Sequence, residues 1–89
     1  MVDEVEIHSH ALERMEMRGA SENEVVETVR RGEQFPAKLG RTGFRRNFAG
    51  VFQWRGRSFD TKQVEVYAAR KARGWLAITV IVRFFSETK

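Results

Sequence analysis

Apolar positions change their period part-way along this 89-residue chain. Val5-Glu6-Ile7 alternates and gives way to polar residues, which predicts a short first strand. Ser9 stands in the N-cap place of a helix whose Ala11, Leu12 and Met15 fall on one side, and Gly19 ends it. Ser21-Glu22-Asn23-Glu24 has the S-x-x-E spacing of a capping box, in which hydroxyl and carboxylate each satisfy an orphan amide. Val25, Val26 and Val29 give the second helix its apolar face. Arg30 and Arg31 suit the negative end of its dipole, and Gly32 closes it. So few residues separate the two helices that they form a helical hairpin.

After Pro36 the period falls to two. Lys38 to Gly43 reads as a loop, Phe44 to Phe48 as a strand, Ala49-Gly50 as a turn or bulge, and Val51 to Trp54 as extended chain. Arg55-Gly56-Arg57 is a second turn. Lys62 to Lys71 is a strand with Val64, Val66 and Ala68 on one face and Glu65, Tyr67 and Ala69 on the other. Arg73-Gly74 reads as a hairpin turn into the longest strand, Trp75 to Phe85. There Leu76, Ile78, Val80, Val82 and Phe84 make one face, and Trp75, Ala77, Thr79, Ile81, Arg83 and Phe85 the other. The expected architecture is α+β: one domain over residues 1–89, an N-terminal helical hairpin packed on a three- to four-stranded antiparallel sheet. The helices cover one sheet face only, so a second, half-apolar face stays available.

Charge sharpens this picture. Residues 1–33 carry nine acids against four arginines, whereas residues 34–89 carry twelve Lys/Arg against three acids, Asp60, Glu65 and Glu87. All seven Phe, both Trp and the single Tyr lie in residues 34–89 too. Basic groups interleaved with aromatics suit phosphate contact and base stacking, so RNA is the expected partner; the alternative is a solvated basic face on an ordinary sheet. Arg41, Arg45, Arg46, Lys62, Arg70, Lys71 and Arg83 are the phosphate candidates, and Tyr67 the stacking one. Arg45 and Arg46 point to opposite faces of their strand, so only one lines a given surface. Tyr67 and Arg83 share the open face if their strands pair.

Absences bound the class. The chain has no Cys, hence no disulfide framework, zinc knuckle or thiol nucleophile, which fits a reducing cytoplasm. Its longest apolar stretch, Trp75 to Val82, is interrupted by Thr79 and falls far short of the ~20 residues of a membrane span. The opening Met1-Val2-Asp3-Glu4-Val5-Glu6 is acidic, unlike a signal or transit peptide. A soluble cytoplasmic protein without membrane contact or cofactor is expected.

His10, Arg14 and Arg18 recur at i, i+4 and i+8, so they span only ~80° of helix circumference at the border of the buried face. A neutral imidazole takes a proton from a 2′-OH, and a guanidinium neutralises charge growing on phosphate. His10 and Arg14, helped by Arg45 or Arg83, are therefore the candidate catalytic residues, with Arg18 as a further RNA contact. The structural alternative has His10 capping the helix and Arg14 paired with an acid. His8 and His10 lack a third metal ligand, and the three acids of the basic half make no carboxylate cluster. Phosphodiester cleavage here is accordingly expected to be metal-independent, which restricts the substrate to RNA with its internal nucleophile.

The run His10-Ala11-Leu12-Glu13-Arg14-Met15-Glu16-Met17-Arg18-Gly19-Ala20-Ser21, with Glu24-Val25, resembles the H-A-x-x-R-M-x-x-R-G-I-S-x-x-E-V opening of a family of small prokaryotic proteins. Gly40-Arg41, Lys62-Gln63-Val64-Glu65-Val66 and Trp75-Leu76-Ala77-Ile78-Thr79-Val80 resemble its G-R, K-E-V-E-V and W-x-x-I-T-V segments. The resemblance covers roughly residues 7–85. It implies kinship with RelE-like and BrnT-like toxins of toxin–antitoxin modules, a helical hairpin on an antiparallel sheet, and metal-independent ribonuclease activity. His10, Arg14 and Arg18 match the opening motif, Arg41 the G-R and Thr79 the I-T-V. The chain departs from the pattern at Ala20, where the motif has Ile. It also departs at its end, Phe84-Phe85-Ser86-Glu87-Thr88-Lys89, which lacks the Lys/Arg/Tyr cluster of ribosome-dependent RelE toxins. The resemblance further implies an acidic antitoxin-like partner. A non-catalytic reading stands beside it: the second sheet face, with Trp75, Ile81 and Phe85, serves as a protein-interaction surface for a homodimer or such a partner.

Overall fold

The capping box forms as the sequence predicts. Ser21 Oγ accepts from the Glu24 backbone N–H at 3.1 Å, and the Glu24 carboxylate accepts from the Ser21 N–H at 2.9 Å. This starts helix α2 (Glu22–Arg31), which buries Val25, Thr28 and Val29. Thr28 takes the buried place expected of Val26; its hydroxyl donates to the Glu24 carbonyl at 2.7 Å, so no polar group is stranded. Helix α1 (Ser9–Arg18) buries Ala11 and Met15. Its N-cap is His8 rather than Ser9: the imidazole Nδ1 accepts from the His10 N–H at 3.1 Å, the part a short oxygen side chain usually plays.

The computed structural model describes residues 4–86; residues 1–3 and 87–89, the first half of the acidic opening and the last half of the tail read above, lie outside the described residues. Five strands follow the chain as β1 (Glu4–Ile7), β2 (Glu33–Pro36), β3 (Thr42–Trp54), β4 (Arg57–Lys71) and β5 (Gly74–Phe85), in the sheet order β1-β5-β4-β3-β2. The α+β class stands, but the sheet is mixed rather than wholly antiparallel and holds more strands than expected. β2 is an edge strand of four residues closed by Pro36, too short to show a period and placed where a missing N–H is tolerated. β1 lies parallel to β5, Glu4 opposite Gly74, with the helical hairpin in the intervening connection. A Cβ on Gly74 would sit 1.9 Å from the Glu4 carbonyl oxygen, so only glycine lets β1 close on β5. Gly74 is thus a strand residue, and the turn expected at Arg73-Gly74 falls on Ala72-Arg73 because Lys71 pairs with Gly74.

A bulge alters the faces of β5. Tyr67 pairs with Thr79 but Ala68 with Ala77, which leaves Ile78 as the extra residue. Before the bulge the alternation expected from the sequence is inverted. Trp75 and Ala77 face the helices together with Val80 and Val82, and Trp75 meets Phe44 edge-to-face at 5.0 Å. Leu76 turns to the opposite face, beside Ala69.

The β3–β4 hairpin closes through Arg55 and Gly56, both at positive φ (49° and 77°), the backbone that matches strand twist in a two-residue loop. An irregularity between Ala49 and Phe52 interrupts the ladder of this hairpin. Trp54 stacks on Phe84 at 5.1 Å, and Phe59 lies 5.9 Å from the same ring. Lys62 sits at the junction, 9% exposed. Its ammonium donates to the Gly19 carbonyl at 2.7 Å and to both Glu24 carboxylate oxygens at 3.0 Å, and lies 5.1 Å from the Phe52 ring centroid. No described helix is long and apolar enough to cross a membrane.

Removing one partner of a buried pair strands the other charge. Lys62→Ala should therefore cost roughly 3 kcal/mol, near the lower end of the range for such pairs because Glu24 keeps some water contact. Lys62→Met, which retains an apolar stem of similar length, should cost less. Urea unfolding of the two variants checks the order; equal losses would mean that the charge alone, and not the stem, carries the effect.

Candidate functional site

Strand alternation and register place a polar cluster on the face the helices leave open. Three cross-strand rows build it. Glu33, Arg45, Glu65 and Ile81 form one, Phe35, Gly43, Tyr67 and Thr79 the next, and Asn47, Gln63 and Arg83 the third. Glu65, on the middle strand, is the hub and is only 4% exposed. Arg45 Nε donates to Glu65 Oε2 at 2.9 Å, Arg83 Nη1 approaches the same oxygen at 3.4 Å, and the Tyr67 hydroxyl donates to Oε1. Two cations and a phenol thus converge on one carboxylate.

The neighbours hold this geometry. Arg45 Nη1 also reaches Glu33 Oε1 at 3.3 Å, and its guanidinium lies 4.7 Å from the Phe35 ring centroid. Phe35 stands nearly perpendicular to Tyr67, centroids 6.1 Å apart. It can lie there because residue 43 is glycine: a Cβ on Gly43 would come within 2.3 Å of the ring. Gln63 accepts from Arg83 at 3.4 Å and donates to Asn47 at 3.0 Å.

The electrostatics follow from these contacts. Burial is the strongest influence on the Glu65 carboxyl and pushes its pKa up. Hydrogen bonds from Tyr67 and Arg45 and the charges of Arg45 and Arg83 outweigh burial and leave it below the ordinary carboxylate value. The bond to Glu65, seconded by burial, pushes the Tyr67 phenol up, so it remains a donor. The hydrogen bond and charge of Glu65 likewise raise Arg45.

The residues expected from the sequence divide. Arg45, Arg83 and Tyr67 meet at Glu65, and Arg41 lies close by, beside Tyr67 and Thr79 in a concavity of about 440 Å³. Arg46 pairs with Val64 on the helix side, 5.5 Å from the Phe48 ring. Arg70 lies 4.8 Å from Trp75, which packs on the helix-side core. Lys62 is the buried junction, and Lys71 pairs with Glu6 of β1 at 3.1 Å. Arg18 donates to the Val80 carbonyl at 2.6 Å. These five lie apart from the cluster at Glu65, on the helix side or bound at strand edges. His10 and Arg14 are exposed on α1; the His10 ring stacks on His8 at 5.3 Å, and Arg14 borders a depression with Met17, Arg18 and Arg55. Since α1 packs on the sheet face opposite Arg45 and Arg83, the four candidate catalytic residues do not form one site.

The chain matches no family model, no curated protein and no solved structure. The site therefore stands on its own geometry. Glu65, its hub, reads in the sequence as an acid on the strand face of Tyr67 and as one of three acids in the basic half, with no role of its own. An acid between Val64 and Val66, on a strand flanked by basic strands, is the signal that marks it. Phe35 and Glu33 carried no such signal, because β2 itself shows no period.

A depressed carboxyl pKa makes stability depend on acid. The Glu65 contribution is complete above the unfolded glutamate value of about 4.3 and is lost as pH falls through the lower folded value. Thermal melts from pH 7 down to 3 should show this loss in the wild type. Glu65→Gln should start lower at neutral pH by about 1–3 kcal/mol and fall less steeply in acid. Superimposable slopes would remove Glu65 from the acid transition.

Proposed function

We propose that this chain is a toxin-like, metal-independent endoribonuclease of a toxin–antitoxin-type module, and that RNA binds and is cut on the open sheet face. The convergence of Arg45, Arg83 and Tyr67 on the nearly buried Glu65 carries the reading. Two guanidiniums on one spot suit the non-bridging oxygens of a phosphodiester. A substrate phosphate there competes with Glu65 for Arg45 and Arg83. As those contacts weaken, burial dominates the carboxyl and raises its proton affinity. Glu65 then takes the proton from the 2′-OH. The Arg pair stabilises charge on the phosphorus oxygens, and Tyr67 hands its proton to the leaving 5′-oxygen. The 2′-oxygen–phosphorus bond forms as the phosphorus–5′-oxygen bond breaks, and the product carries a 2′,3′-cyclic phosphate.

A second reading has one observation in its favour. Beside the cluster, the open face carries Leu76, Ile81 and Phe85, an apolar strip on β5. A non-catalytic interaction module would use it for self-association or for an acidic antitoxin-like protein drawn to Arg45, Arg83 and Arg41.

RNA affinity should fall steeply as salt rises, because each phosphate contact releases counterions. Titration of a short RNA at two salt concentrations tests this; binding indifferent to salt would remove the nucleic-acid reading. Positioned proton transfer is worth about 10²–10⁴ in rate, so Glu65→Gln should slow cleavage by that factor. His10→Ala should leave cleavage unchanged, and EDTA should not inhibit. Loss in His10→Ala with retention in Glu65→Gln would move the chemistry to α1. A wild type that cuts no RNA, with or without ribosomes, would leave the interaction module.

A further inference from the structure

The concavity beside the cluster is walled by Phe35, Pro36, Leu39, Arg41, Tyr67 and Thr79. Its volume of about 440 Å³ lies within the roughly 300–1,000 Å³ typical of small-ligand sites. One wall is aromatic: Phe35 and Tyr67 stand at 87° to each other, so a flat ligand stacked on one ring meets the edge of the other. Thr79 adds a hydroxyl. Arg41 and Lys38 line the same concavity. Flat, apolar-faced and carried on an anion is the description of a nucleobase.

The rim is unusual. Leu39 is 85% exposed and holds a left-handed backbone, φ 63°, that a bulky side chain rarely adopts. The loop is fixed in that shape by two backbone bonds, Ala37 N–H to the Arg41 carbonyl at 3.0 Å and Arg41 N–H to the Lys38 carbonyl at 3.2 Å. Nothing in packing requires this: Leu39 is spent neither on the core nor on the hydrophobic residues packed against it. A strained loop that holds an apolar side chain out over an aromatic wall is better accounted for by a ligand than by the fold.

We infer that this concavity holds a single unstacked base of the bound RNA strand, next to the phosphate held by Arg45 and Arg83. The inference rests on the RNA reading and adds to it a preference for single-stranded over paired RNA, since a paired base enters only at the cost of unpairing and unstacking. Phe35 and Tyr67 supply the stacking surface, Leu39 closes over the base, and Arg41 meets the neighbouring phosphate.

The test uses a short 2′-O-methyl RNA oligomer, which lacks the internal nucleophile and so survives binding. A second oligomer has the same backbone with its bases removed. The full chain should bind the intact oligomer about ten-fold or more tightly than the abasic one, the order of one base stacked on an aromatic ring. Leu39→Asn, in which Asn accepts the left-handed backbone, should weaken the intact oligomer several-fold, toward abasic affinity, without lowering the melting temperature. Equal affinity of the wild type for both oligomers overturns the inference and leaves the RNA reading standing. An unchanged Leu39→Asn overturns it too, and leaves the concavity to an apolar side chain of a protein partner. Adenosine 5′-monophosphate bound as tightly as the oligomer assigns the site to a free nucleotide and overturns the RNA-strand form. Binding of neither oligomer at low salt removes the RNA reading and the inference together.

Discussion

The Lys62 ammonium is the joint on which the arrangement of the other parts depends. It belongs to a central strand, yet its donors end on Gly19 at the close of α1 and on Glu24 in α2, while its charge lies over the rings of Phe52 and Phe84. Glu24 holds two posts at once, accepting from the Ser21 N–H that starts α2 and from Lys62. Helix initiation and the docking of the helical layer therefore share one carboxylate. A buried charge is tolerated when it is paired and its remaining hydrogens are bonded, and Lys62 meets both conditions. Its contacts tie the end of α1 and the start of α2 to the sheet face on which their apolar residues pack.

Three residues along the same strand, on the opposite face, Glu65 repeats the problem with the sign reversed. Among the described residues these two are the buried charges. The segregation seen in the sequence explains how each is satisfied. The acidic helical half supplies the carboxylate for the one buried base, and the basic strands supply the guanidiniums for the one buried acid. The same division leaves the open face with Arg41, Arg45 and Arg83 against Glu33 and Glu65. That balance favours an anion arriving from solvent without demanding a permanent one.

Much of this was legible from residues alone, and the failures have physical causes. The capping box, the Arg55-Gly56 turn, the opposite pointing of Arg45 and Arg46, and the shared face of Tyr67 and Arg83 are local or follow from a period of two. The parallel pairing of β1 with β5 rests on Gly74, whose role as a contact with Glu4 resembles a turn signal in sequence. The Ile78 bulge inverts the outlook of Trp75 and Ala77 although the run from Trp75 to Ile78 is apolar throughout, so no pattern marks it. Arg18 and Lys62 looked like surface cations because a basic side chain carries no sign of the carbonyl it will meet. His10 and Arg14 do lie one turn apart on α1 as the spacing requires, but a helical stripe does not say which sheet face its layer covers.

The outer edge of β5 bears on how any partner would approach. β1 covers that edge from Gly74 to Ala77. Past it, Arg18 occupies the Val80 carbonyl, the Ile78 bulge interrupts the ladder, and Arg83 places a charge on the strand. Each is a recognised way to blunt a strand edge against pairing with another chain. Addition at this edge is thereby disfavoured, and the broad open face is left as the surface on which the proposed contact would be made. An RNA strand and an acidic protein segment would both be drawn there to Arg41, Arg45 and Arg83, and would exclude each other by occupying the same cations. The two functional readings are on that account competitive uses of one surface, so a partner of the second kind would act as an inhibitor of the first.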